Sequence, residues 1–78
     1  MLIRIGMNKL ILKKFGKRIR DERMKRSLSQ EELGELAHVH RTYIGMIERA
    51  EKNITLGNME KIALALGMKV RDLIDFWK

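Results

Sequence analysis

Leu28-Ser-Gln-Glu-Glu-Leu33, followed after Gly34–His40 by Arg41-Thr-Tyr-Ile-Gly-Met-Ile-Glu-Arg49, decides the fold of this chain. Ser29 stands three residues before Glu32, the spacing of a capping box, in which the two residues satisfy orphan backbone donors reciprocally. Glu31 and Glu32 also suit the positive end of a helix. A helix therefore starts here and runs to about Ala37, burying Leu33, Leu36 and Ala37. Another runs from about Arg41 to Arg49 and buries Ile44 and Ile47. Two short helices about three residues apart make a helix-turn-helix unit. Leu33 and Ile44 face inward from the two helices, and small Gly34 lets the second pack closely on the first. Val39 plugs the turn and Ile47 closes the core.

Working outward, Asn8 can cap a first helix whose apolar stripe is Ile11, Leu12, Phe15 and Ile19. Gly16 weakens that helix, which should stop near Ser27 because the next start signal follows at once. After the polar connection Glu51–Asn53, Thr55 can cap a fourth helix that buries Met59, Ile62, Ala63 and Leu66 and stops at Gly67. A fifth helix, about Val70–Trp77, carries Val70, Leu73, Ile74 and Trp77 on one stripe. No strand pattern, internal repeat or low-complexity segment interrupts this reading. The expected fold is all-α: a compact five-helix domain over residues 8–78, preceded by a short arm, residues 1–7.

With 78 residues, the chain holds one small domain. Such a domain hides only about 60% of the surface of its unfolded chain, so it is marginal alone and gains from pairing with a copy of itself. Cysteine is absent, which excludes disulfides, thiol chemistry and cysteine-ligated zinc, and fits a cytoplasmic setting. The net charge is +7, unevenly spread. Residues 1–29 hold ten basic and two acidic groups; residues 30–78 hold seven and eight. A basic half suggests a polyanionic partner, nucleic acid before an acidic membrane surface, although a merely solubilising face has the same charge. No apolar run reaches the ~18 residues of a membrane span. Leu10–Leu12 is followed by Lys13 and Lys14, so no signal-peptide core forms.

Leu28–Leu33 with Arg41–Arg49 resembles the repressor/Cro-type helix-turn-helix domains, and Asn58-Met-Glu-Lys-Ile-Ala-Leu-Ala-Leu-Gly67 is similar to the fourth helix of that family. The resemblance covers about Phe15–Leu73. Arg41-Thr-Tyr-Ile44, with Glu48, Arg49 and Asn53 after it, is similar to the controller proteins of restriction–modification systems. The resemblance implies a stand-alone dimeric transcriptional regulator that binds its own promoter, activating at one occupancy and repressing at another. Double-stranded DNA is then the partner and RNA polymerase a further one. It also implies that Arg23 and Glu48 form an ion pair linking the first and third helices. The chain departs from the family where His38 and Ser27 replace common glycines and where His40 replaces a stronger cap. Histidine tolerates the left-handed conformation the turn requires.

In this frame the third helix enters the major groove with its first residues at base edges. Arg41 suits O6 and N7 of guanine, or a phosphate. Thr42 can touch a thymine methyl or serve as a spare cap. Tyr43 lies against sugar and phosphate or packs as a half-buried ring. Gly45 answers a close approach, either of DNA or of another helix. Met46 can meet a thymine methyl. Gln30 can bind phosphate at the start of the second helix, and Arg49, Lys52, Asn53 and Asn58 are further phosphate candidates. Arg18 and Arg20 add to the basic field. Leu64, Leu73, Phe76 and Trp77 are candidates for a dimer interface, where aromatic anchors are favoured. The alternatives are a phage-type repressor or antitoxin, or a protein-interaction module that has lost DNA binding. His38 and His40, two apart in a turn, do not make a metal site. No serine has an evident base, and no glycine-rich loop cradles phosphate. Neither catalysis nor a cofactor is expected.

Overall fold

Helix α1 (Leu2–Lys25) runs on through the position expected to cap it, so Asn8 lies inside the helix. Residues 2–7 contain no proline, and an interior asparagine costs only a few tenths of a kcal/mol, about 0.7 at most, relative to alanine. The structure, a computed structural model, describes residues 2–76, with side chains from Lys9 onward. Four more helices follow: α2 (Gln30–Ala37), α3 (Arg41–Glu48), α4 (Leu56–Ala65) and α5 (Val70–Leu73). Among the described residues there is no strand. The five-helix, all-α expectation holds, with α5 shorter than its apolar stripe suggested. Residues 74–76 form a turn, and Trp77 lies outside the described residues.

The caps match the local chemistry. Ser29 Oγ accepts from the Glu32 N–H at 2.9 Å, and Glu32 Oε1 accepts from the Ser29 N–H at 2.8 Å. That bond to Ser29 holds the Glu32 carboxyl below the usual carboxylate range. Thr55 Oγ1 caps α4 by accepting from the Asn58 N–H. His40 caps α3 through Nδ1, which accepts from the Thr42 N–H at 3.0 Å. The first four helices end alike, with one left-handed residue and a backbone bond reaching back five positions. Leu28 bonds to Arg23, Val39 to Gly34, Glu51 to Met46 and Met68 to Ala63. The left-handed residues are Ser27, His38, Ala50 and Gly67, with φ of 55°, 58°, 60° and 70°.

Ten side chains from all five helices form the core: Phe15, Ile19, Leu33, Ala37, Ile44, Ile47, Ile62, Ala63, Leu66 and Leu73. Three positions read as part of apolar stripes are outside: Leu36 is 54% exposed, Ile74 43% and Ile11 42%. They stand at the margins of their stripes, and the neighbouring helices do not reach that far round. Gly16 has a packing reason. A Cβ there would lie 2.5 Å from the Ile47 carbonyl oxygen and 2.8 Å from that of Glu48, so α1 crosses the end of α3 at backbone contact.

Buried Glu22 organises the opposite side of α1. Its carboxylate accepts from Arg26 at 2.8 Å and Lys25 at 3.0 Å, and lies 3.6 Å from Arg18. The Arg26 bond above all holds the Glu22 carboxyl below the ordinary range. Arg26 Nε also donates to the Leu66 carbonyl and Arg18 to that of Asp72. Arg18 therefore staples α1 to the end of α5, a structural task in place of the general basic field expected of it.

Candidate nucleic-acid interface

Helix α3 is held from one side and open on the other. Ile44 and Ile47 anchor it in the core. Arg23 grips its last turn with two bonds to Glu48, Nε to Oε2 at 2.7 Å and a terminal nitrogen to Oε1 at 3.0 Å. The Glu48 side chain is 4% exposed and that of Arg23 13%. The bond to Glu48 raises the already high pKa of the Arg23 guanidinium. Arg23 also donates to the Leu28 carbonyl, tying the α1–α2 junction to α3. This is the ion pair that the family resemblance implied.

Gln30, the first residue of α2, donates through Nε2 to Glu48 Oε1 at 3.1 Å. Its amide is thus held against α3 by the same carboxylate that Arg23 grips. Gly45 lies directly beneath this region and is buried. A Cβ there would meet an Arg49 guanidinium nitrogen at 3.0 Å and Gln30 Oε1 at 3.3 Å. A Cβ there would press on the ends of two flexible side chains, so glycine at this position leaves room for Arg49 and Gln30 beside α3.

Arg41 and Thr42 are exposed at the start of α3. Arg41 is 3.4 Å from both carboxylate oxygens of Glu31 in the first turn of α2, with both side chains about half in solvent or more. Such an exposed pair is worth ~0–1 kcal/mol, so the guanidinium exchanges this partner easily. Thr42 is not the cap, because His40 does that. Met46 is half-buried rather than free on the outer side. Tyr43 is half-buried, and its hydroxyl oxygen accepts from Asn58 Nδ2 at 3.1 Å across to α4. Past α3, Arg49 pairs with Glu51 at 3.0 Å, and Lys52 and Asn53 are exposed. Gln30, Arg41, Thr42, Tyr43, Met46, Arg49, Lys52, Asn53 and Asn58 all border α3 or the segment leaving it. Sequence reasoning missed Glu31 as the neighbour of Arg41. The missing signal was three-dimensional, since the residues are ten apart and meet only when the turn folds α3 against α2.

A second face stands apart from this one. Leu64 and Leu56 on α4 are each 72% exposed. Leu36 and Leu64 share one groove with Lys61 and Ala65. Leu73 does not belong to this face: it is fully buried, because the short α5 turns it inward. Phe76 is half-buried against the core. No helix among the described residues is long and apolar enough to cross a membrane.

A helix-turn-helix family profile matches residues 19–73. The control protein C.BamHI of Bacillus amyloliquefaciens is 48% identical over 63 residues, which are 80% of this chain and 78% of that protein. The crystal structure of the restriction–modification controller protein C.AhdI from Aeromonas hydrophila superposes with a TM-score of 0.78 at 44% identity, over 80% of this chain and 94% of that one. The structure of SinR, a master regulator for biofilm formation, in complex with DNA superposes with a TM-score of 0.74 at 34% identity, over 78% of this chain and 98% of that one.

Proposed function

The chain belongs to the helix-turn-helix family of DNA-binding transcription regulators, and on that premise we propose that it is the controller protein of a restriction–modification system, binding a pseudo-palindromic operator as a homodimer. The family and these relatives are regulators rather than enzymes. The observation that carries the proposal is the exposed start of α3. Arg41 and Thr42 stand free of the core on a helix whose other side is clamped by Arg23 and Glu48. A rigid helix with a mobile guanidinium at its N-terminal end is what base reading in a major groove needs.

In this reading Arg41 exchanges Glu31 for guanine O6 and N7, and Thr42 meets the neighbouring base pair. Met46 reaches base edges from the half-open side. Gln30, Tyr43, Arg49, Lys52 and Asn53 meet phosphates and set the register. Leu64, with Phe76 and Trp77, supplies the pairing face, and two copies place their α3 helices about 34 Å apart. RNA polymerase is the further partner of a regulator bound at its own promoter, and the cytoplasm is its setting.

Selection from a random duplex pool at near-physiological salt, run with wild type and Arg41→Ala side by side, tests the reading. The expected result is a two-fold symmetric consensus, with Arg41→Ala losing about 1–3 kcal/mol and its preference at one base per half-site. Uniform weakening across sequences would move Arg41 to a phosphate. No enrichment by wild type would leave a protein-interaction module as the better reading.

A further inference from the structure

We infer that Asn58 is a positioning residue: its side-chain amide fixes the Tyr43 hydroxyl as an outward hydrogen-bond donor aimed at a DNA phosphate. The inference rests on the DNA-binding reading of α3 and adds a division of labour within it. Asn58 Nδ2 donates to Tyr43 Oη at 3.1 Å, linking residues fifteen apart on α4 and α3. The Asn58 backbone is anchored, because its N–H donates to Thr55 Oγ1 at 3.1 Å in the first turn of α4. Both residues are half-buried.

A phenol hydroxyl has one proton to donate and lone pairs to accept. Its proton prefers the ring plane, where two positions are open. The incoming Asn58 donor occupies the acceptor side and drives the proton to the other position. Tyr43 then offers its next partner a donor. That partner must be an acceptor, and a phosphate oxygen is acceptor-only.

Helical phase selects phosphate over a base edge. At about 100° per residue, Arg41, Thr42, Gly45, Met46 and Arg49 share one side of α3, and Tyr43 stands at its flank. A residue at the flank of a groove-bound helix meets the strand that walls the groove. Asn58, expected to touch phosphate itself, thus acts through Tyr43.

A double-mutant cycle tests this on the duplex that wild type enriches from a random pool, and on an unrelated duplex. Tyr43→Phe and Asn58→Ala should each weaken binding by about threefold to tenfold on both duplexes, the worth of one hydrogen bond. The double variant should bind about as Tyr43→Phe alone does, because Asn58 has no effect once the hydroxyl is gone. Asn58→Asp suits a helix N-terminus yet offers only acceptors, so it should weaken binding at least as much as Asn58→Ala. Thermal melts verify that each variant is folded. Multiplying effects, or wild-type affinity in Asn58→Ala, overturn the positioning role. Failure of wild type to bind any duplex instead defeats the DNA-binding reading, and this inference with it.

Discussion

Helices α1–α3 are tied to one another by directed side-chain bonds, whereas α4 completes the core and leaves two leucines mostly in water. Around α3, Arg23 bonds Glu48 twice and the Leu28 carbonyl once, and Gln30 bonds Glu48 from α2. Each of these bonds has a direction, so together they permit one placement of α3. On α4, Leu56 and Leu64 are mostly exposed although the same helix buries Ile62 and Ala63. Burying one leucine stabilises by about 1.5–3 kcal/mol. The polar half determines where α3 stands. The apolar half has surface left over, and a second copy of the chain is the partner proposed for it.

Four substitutions break or sharpen this contrast. Glu48→Ala should have the largest effect. It leaves Arg23 charged and unpaired at the α1–α3 junction, at a cost of about 3–5 kcal/mol. That is much of the stability of a small domain, and urea unfolding would read it. A cost under about 1 kcal/mol, the value of a surface pair, would mean that apolar packing alone places α3. Gly16→Ala comes next. Its Cβ would press on backbone oxygens that cannot rotate away, and overpacking of this kind costs about 1–3 kcal/mol. An unchanged melting temperature would show that α1 and α3 can slide apart freely.

Leu64→Glu tests the other half. Dimer association should weaken by about tenfold or more, read by sedimentation near the dissociation constant. The fold should change by less than about 0.5 kcal/mol, as at other surface positions. An unaltered sedimentation profile would move the pairing face off α4. The smallest effect is a gain. Ala50 holds φ at 60°, which costs a non-glycine residue roughly 1–2 kcal/mol, and glycine returns part of that as unfolded-state entropy. Ala50→Gly should therefore raise stability by up to about 1 kcal/mol in the same urea assay. A loss would show that the strain at this end of α3 is compensated by contacts of the methyl group.

Much of this architecture was legible in local signals. Ser29 with Glu32, Thr55 and Gly67 each mark a helix end through bonds made within a few residues, and the structure has those ends. Left-handed backbone at Ser27 and His38 was also foreseeable, because a turn there demands it whatever the residue. Ala50 was not, since alanine usually signals the opposite. The start of α1 was misplaced because Asn8 reads as a cap in isolation, yet a helix already running through Leu2–Met7 does not stop for one asparagine. Leu36 and Leu73 exchanged roles for a non-local reason. The apolar stripe of a short helix is wide, and the neighbour that packs against it decides which edge is covered.

The candidate site divides in the same way. Residue type and position along α3 were enough to nominate Arg41, Thr42 and Tyr43, because a helix presents its first residues in a set order. The sequence by itself determined the helices, the helix-turn-helix unit and most of the core, since capping bonds and apolar period act over one or two turns of chain. Only the tertiary structure decided that Glu31 faces Arg41, that Asn58 holds Tyr43, that Arg18 staples α5 and that Leu36 joins Leu64 on the surface. Those outcomes depend on the angle and phase at which helices meet, which are settled by packing among residues 10 to 54 apart.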